Sequence, residues 1–188
     1  MKKGEFVAII GHSGIGKSTI MKLLLSVYEP DEGEIVLSLA DKDLHLSELP
    51  SGMFSYVPQG NCLMSGTIWD VVGFAELTDQ IDYEKVKRAC QIACAEEFIL
   101  ELSEGYDTVL GEHGHGLSEG QMQRLAVARA IYSECPIILL DEATSALDSD
   151  TEKRLISSLK KMTDYTVFMV THRQNVWELC DRVLEREE

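Results

Sequence analysis

An α/β fold with a mostly parallel sheet flanked by helices is what this chain predicts, on three observations. Short apolar runs recur at residues 6–10, 136–140 and 166–170, with the length and character of strands buried on both faces. Helical patterns separate them, and alternation of strands with helices implies parallel pairing. The first run leads through a glycine-rich turn into a helix. With 188 residues, 45% hydrophobic and 26% charged, the chain can bury the core of one domain and carry a smaller subdomain.

The elements follow in order. Phe6-Val7-Ala8-Ile9-Ile10 reads as a buried strand. Gly11-His12-Ser13-Gly14-Ile15-Gly16-Lys17-Ser18 then satisfies the phosphate-loop pattern G-x-x-x-x-G-K-S/T at every fixed position. Glycines let backbone N–H groups converge on one anion, and the following helix, from Thr19 to Leu25, adds partial positive charge at its start. Lys17 reaches β/γ-phosphates in such a loop, and the Ser18 hydroxyl holds Mg²⁺. His12, at a variable position, simply tolerates the turn. Residues 29–33 form a turn and 34–39 a strand, and 41–52 are polar and loop-like. Residues 53–57 form another strand, stopped by Pro58.

From residue 60 to 117 strand signals are few, and the segment reads as a helical insertion. Within it, Val86, Ala89, Cys90, Ala93, Phe98 and Leu102 recur at helical steps, which predicts one helix over 81–102. Residues 105–116, rich in glycine and histidine, form a loop. Ser118 then opens a helix as N-cap, with Gln121 at N3 completing a capping box and Leu117 and Met122 placed as a hydrophobic staple. The helix continues through Leu125, Val127 and Ile131. The strand 136–140 ends in Asp141-Glu142. A further helix carries Leu155, Ile156, Leu159 and Met162 on one face, and the strand 166–170 ends in Thr171-His172. The domain division expected is a phosphate-loop core of residues 1–60 and 132–188, with a helical subdomain at 61–131.

Charge and composition exclude several classes. Seventeen basic against 32 acidic residues leave a formal charge of −15, which disfavours a nucleic-acid or anionic-membrane partner. A phosphate loop is unaffected, since it makes its own positive pocket. The longest apolar runs, about five residues, fall far short of the roughly 20 that span a bilayer. The start is too short in apolar residues for a signal peptide. The five cysteines, Cys62, Cys90, Cys94, Cys135 and Cys180, show no metal-like pairing and read as reduced residues near the core. His113 and His115 read as solvated loop residues.

Two carboxylates at the C-terminal end of a central strand lie where open α/β sheets bind ligands. Asp141 suits Mg²⁺, and Glu142 suits activation of a water for in-line attack on a γ-phosphate.

With these two sites in place, Leu117-Ser118-Glu119-Gly120-Gln121 resembles the LSGGQ signature of ATP-binding cassette (ABC) ATPases. Tyr56-Val57-Pro58-Gln59 resembles the Q-loop and Ser145-Ala146-Leu147-Asp148 the D-loop, and His172 stands where the switch histidine belongs. The order is the family's, and the resemblance covers almost the whole chain. It implies a P-loop ATPase that binds ATP and Mg²⁺. Glu142, His172, Lys17 and Gln59 would be catalytic. Gly11, Ser13, Gly14, Gly16, Lys17, Ser18 and Thr19 would contact nucleotide, together with Ser118, Gly120 and Gln121 acting on the nucleotide of a partner cassette. Ser18, Gln59 and Asp141 would serve the metal. Asp148 would couple the two sites of a head-to-tail dimer. Ser65-Gly66-Thr67-Ile68, Glu96-Glu97-Phe98-Ile99, Gly105-Tyr106-Asp107-Thr108 and the loop from Thr108 to Gly114 resemble the exporter class, which makes Glu112 a candidate at the interface with a membrane domain. The resemblance thus implies an ATP-hydrolysing domain of a transporter of exporter type, on the cytoplasmic face of the membrane. A non-transport ABC ATPase and a catalytically weak regulatory cassette are the competing readings.

The chain departs from the family pattern in two ways. Glu119 replaces the first glycine of the signature. An acidic residue is favourable at a helix start, and its side chain is expected to turn away from the phosphates. The chain also looks truncated at both ends, without the strands and the adenine-stacking aromatic that family members carry before the phosphate loop. Weakened adenine recognition, with comparable affinity for ATP and GTP, is the corresponding expectation.

Overall fold

The computed structural model describes residues 2–39, 42–60, 64–74, 80–111 and 116–185. Along the chain come β1 (Phe6–Ile10), α1 (Lys17–Leu24), β2 (Val36–Leu39), β3 (Lys42–His45), β4 (Phe54–Val57), β5 (Gly66–Thr67) and α2 (Ile68–Gly73). Then follow α3 (Tyr83–Ile92), α4 (Glu96–Glu101), β6 (Val109–Leu110), α5 (Glu119–Tyr132), β7 (Ile137–Asp141), α6 (Ser149–Lys160), β8 (Thr166–Val170), α7 (Gln174–Trp177) and β9 (Arg182–Glu185).

The main sheet has the order β4-β7-β8-β1-β9, and every pairing in it is parallel. Alternation along the strands sorts its side chains onto two faces. Val7, Ile9, Ile137, Leu139, Phe168 and Val170 cluster with Met21 of α1. Phe6, Ala8, Ile138, Leu140, Val167 and Met169 cluster with α5 and α6 through Leu125, Val127, Leu155, Ile156 and Leu159. Being covered on both sides is what makes β7 and β8 buried at every position, and it explains their unbroken apolar runs. Each Leu or Ile so buried contributes about 1.5–3 kcal/mol.

The strand order places the chemistry. Parallel strands end at one edge of a sheet. The phosphate loop leaves β1, His172 follows β8, Asp141 and Glu142 end β7, and Gln59 follows β4, so these groups line one edge in the order of the strands.

Three segments differ from the sequence reading. The loop expected at 41–52 contains β3, which pairs antiparallel with β2 in the register Leu37↔Leu44 and Ser38↔Asp43. Lys42 and Asp43 are poor strand formers. Ladder hydrogen bonds rather than apolar burial hold this hairpin, so no hydrophobic alternation announces it. The single helix expected over 81–102 is broken into α3 and α4. Cys94 takes a left-handed backbone, φ 54, and the Ala95 N–H closes onto the Cys90 carbonyl at 2.7 Å. Apolar periodicity runs across the break because the corner, Ala93-Cys94-Ala95, is itself buried. Within the loop expected at 105–116, β6 pairs with β5.

Candidate nucleotide site

The turn after β1 is shaped for an anion. Gly16, the N-cap of α1, is left-handed at φ 94, and no side chain caps this helix. A β-carbon would strain that backbone, and an uncapped start leaves first-turn N–H groups for a ligand. Lys17 is only 6% exposed. Its ammonium donates to the Gly11 carbonyl at 2.8 Å and the His12 carbonyl at 2.7 Å, which leaves a third N–H for a phosphate oxygen. Ser18 is half-buried, while His12, Ser13, Gly14 and Thr19 are exposed.

At the end of β7, Asp141 is buried. Its Oδ2 accepts a hydrogen bond from the Tyr56 hydroxyl at 3.2 Å. Its Oδ1 is buried without a hydrogen-bond partner among the described residues. An orphaned carboxylate oxygen costs about 1–3 kcal/mol or more, and a cation would relieve that cost. No group of three His, Cys, Asp or Glu able to hold a metal occurs among the described residues. One buried, unpartnered carboxylate oxygen beside a phosphate loop is a donor set that fits Mg²⁺ shared with phosphate oxygens.

Glu142 is the centre of the constellation. Its Oε2 accepts from Gln59 Nε2 at 2.8 Å, and its Oε1 lies 2.8 Å from His172 Nε2. Three residues from three separate strand ends thus meet on one carboxylate. The Glu142 backbone is left-handed, φ 51, and its N–H donates to Val170 O at 3.2 Å. Strain of this kind in a non-glycine residue concentrates at functional sites.

The capping box at α5 is formed. Ser118 Oγ accepts from the Gln121 N–H at 3.2 Å, and Gln121 Oε1 accepts from the Ser118 N–H at 2.8 Å. The Ser118 hydroxyl proton stays available for an anion, whereas the Gln121 carbonyl is engaged in the cap. Glu119 is exposed at the first helical position. Gly120 is needed for close approach: a β-carbon there would stand 2.9 Å from the Ala146 carbonyl oxygen and 3.2 Å from Leu147 Cδ2. Gly120→Ala is expected to displace the Ala146 turn and destabilise the protein by about 1–3 kcal/mol. Urea unfolding would show it, and an unchanged midpoint would mean the turn yields freely.

The family model described as "ABC transporter" matches residues 1–145. The chain belongs to the ABC transporter family. It is 46% identical over 185 residues to the chloroplastic ABC transporter B family member 29 of Arabidopsis thaliana, covering 97% of this chain and 29% of that protein. It is 41% identical over 184 residues to the ATP-dependent lipid A-core flippase of Vibrio vulnificus (strain YJ016), covering 97% of this chain and 31% of the relative. A solved structure of a bacterial Atm1-family ABC exporter with ATP bound superposes with a TM-score of 0.87 at 35% identity, over 98% of this chain and 32% of that one. The chain spans about a third of the length of these relatives.

Sequence reasoning missed several residues of this ABC domain. Tyr56, noted only as part of the Q-loop, touches Asp141. Gln123 and Arg173 make polar contacts with Ser145, Ala146 and Leu147, and buried Glu152 pairs with Arg173. A signal for two of them was present. Glu152 stands three and four residues before Leu155 and Ile156 on the apolar stripe of α6, and Gln123 precedes Ala126 and Val127 likewise on α5. A polar side chain on a core stripe requires a partner. Asp148 caps α6, accepting from Asp150 and Thr151 N–H groups at 3.1 and 2.9 Å. The Thr151 hydrogen bonds, chiefly, hold its carboxyl below the usual range. Among the described cysteines, Cys90, Cys94, Cys135 and Cys180 are free. Burial pushes the Cys90 thiol up to about 12 and Cys180 up to about 11, which makes both poor nucleophiles. Cys62, Glu112, His113 and His115 lie outside the described residues.

Proposed function

We propose that this ABC domain binds Mg-ATP at the phosphate loop and hydrolyses it to drive an exporter-type membrane domain, working head-to-tail with a second such domain. The observation that carries the reading is the convergence of Gln59 and His172 on Glu142, beside a buried Asp141 with one free oxygen. Support for the exporter class comes from the likeness to a flippase and to an Atm1-family exporter.

Each residue has a physical task. Gly11, Ser13, Gly14, Gly16 and Thr19 offer backbone and hydroxyl donors to the phosphates, and Lys17 adds a compact positive charge. Ser18, Asp141 and Gln59 would hold Mg²⁺, which offsets negative charge as the γ-phosphate leaves. Glu142 accepts the proton of the attacking water. Gln59 and His172 keep that carboxylate in one rotamer, and the Nε2–H that His172 gives to Glu142 would turn to the γ-phosphate once nucleotide is bound. Ser118 and Gly120 would present the capped start of α5 to the nucleotide of the partner domain, and Asp148 would report across the dimer. None of the described helices is long and apolar enough to cross a membrane. The likeness to a flippase and an exporter supports a place for this domain on the cytoplasmic face of a separate or fused membrane domain.

Phosphate release from ATP by the intact protein, with and without Mg²⁺, tests the reading. Metal-dependent release, and a nucleotide-induced dimer in sedimentation, are expected. Absence of both would refute it.

A further inference from the structure

We propose that Gln123 and Arg173 are positioning residues that clamp the Ser145–Leu147 turn and thereby tie the α5 helix to the hydrolytic pair Glu142 and His172 of the same chain. The inference rests on the reading that Glu142 and His172 perform hydrolysis.

Every polar handle of the turn that these two side chains reach is taken. Gln123, 3% exposed, donates from Nε2 to Ser145 Oγ at 3.1 Å and accepts at Oε1 from the Ala146 N–H at 3.0 Å. Arg173 donates from Nη1 to the Leu147 carbonyl at 2.7 Å and from Nη2 to the Ser145 carbonyl at 2.6 Å. The amide thus holds one side of the turn and the guanidinium fork the other. Lysine could not reproduce the fork.

The anchor of Arg173 is unusual. Glu152 is fully buried, and its Oε2 accepts from Arg173 Nη1 at 2.9 Å and from Asn175 Nδ2 at 3.3 Å. Its Oε1 has no hydrogen-bond partner among the described residues. A buried ion pair adds little net stability over apolar packing, and its best-supported use is to specify geometry. Here the geometry specified is that of the guanidinium.

The turn is wired at both ends to the chemistry. The Ser145 N–H donates to the Glu142 carbonyl at 3.1 Å, so a shift of Ser145 moves the left-handed residue that carries the base. Arg173 directly follows His172. Gly120, in the signature, lies against the Ala146 carbonyl. A displacement at the start of α5 therefore passes through Gln123 and the turn to Arg173, and from there to His172 and Glu142. The network supplies a contiguous packed path between the helix that faces a partner's nucleotide and the groups that act on this chain's own.

Two readouts decide the proposal, one of them independent of activity. The first is the His172 imidazole resonance in the intact protein labelled at histidine. Gln123→Leu, which keeps volume and removes both hydrogen bonds, is expected to shift that resonance and to speed exchange of the Ala146 amide. Gln123→Glu, which keeps the acceptor for Ala146, is expected to restore part of both. An unmoved resonance in Gln123→Leu overturns the wiring whether or not the protein hydrolyses ATP. The second readout is kinetic. Gln123→Leu and Arg173→Lys are each expected to lower kcat about 10- to 100-fold, with ATP affinity within twofold. Equal loss of kcat and affinity, or a lowered Tm with kcat unchanged, would make the clamp merely structural. Because removing Arg173 strands the Glu152 carboxylate, the pair Arg173→Met/Glu152→Gln replaces Arg173→Lys if that variant fails to fold. If the unaltered protein releases no phosphate, the hydrolytic reading falls, while the resonance shift still judges the clamp.

Discussion

Replacing Glu142 by glutamine should leave ATP bound and all but stop its turnover. The two side chains have nearly the same shape, so the packing around the end of β7 survives. What changes is the proton acceptor. A carboxylate can take a proton from water at neutral pH, and an amide cannot. General-base assistance contributes roughly 10²–10⁴-fold, and a loss of that size is expected in single-turnover phosphate release. The hydrogen-bond pattern adds to the effect. Gln59 Nε2 and His172 Nε2 both lie 2.8 Å from carboxylate oxygens. The amide that replaces the carboxylate has only one oxygen to serve two neighbours. Nucleotide titration should show affinity within a few-fold of the parent. Turnover kept within a few-fold would place the base elsewhere.

Lys17→Ala should show the opposite pattern and lose binding itself. The ammonium is almost wholly buried and sits on the carbonyls of its own loop, so it is positioned before any ligand arrives. A hydrogen bond to a charged group is worth about 1.5–3 kcal/mol, or roughly 10- to 150-fold in affinity. Alanine also leaves the Gly11 and His12 carbonyls without that donor, so the loop loses a brace together with a charge. Calorimetric titration with ATP would register the loss. Parent-like affinity would show that backbone N–H groups alone hold the phosphates.

Much of the fold was legible because its strands are buried on both sides. Ile137, Ile138, Leu139 and Leu140 have no exposed face to be polar, so the run stands out. The α5 start was legible from a local pattern, and the cap at Ser118 and Gln121 is formed as that pattern requires. Legibility ended where stability comes from something other than apolar spacing. β3 is held by ladder hydrogen bonds among polar residues. The corner at Cys94 hides inside an uninterrupted apolar rhythm. In the site, the motif residues Gln59, Glu142 and His172 could be placed at strand ends, but their convergence on one carboxylate depends on the order β4-β7-β8-β1. No local pattern states that order. Gln123, Glu152 and Arg173 were missed for a related reason. Gln123 and Arg173 meet a turn more than twenty residues away, and Glu152 meets Arg173 and Asn175 at a like separation. A buried polar side chain reveals the need for a partner without naming it.

The left-handed backbone at Glu142 has a consequence for anyone hoping to harden this domain. By conformational preference alone, glycine or asparagine would sit more comfortably there, so a search for stabilising substitutions would be drawn to this position. Accepting its suggestion would remove the carboxylate that the proposed mechanism needs to deprotonate water. The discomfort of that one residue would then be the cost of keeping a carboxylate where glycine fits best.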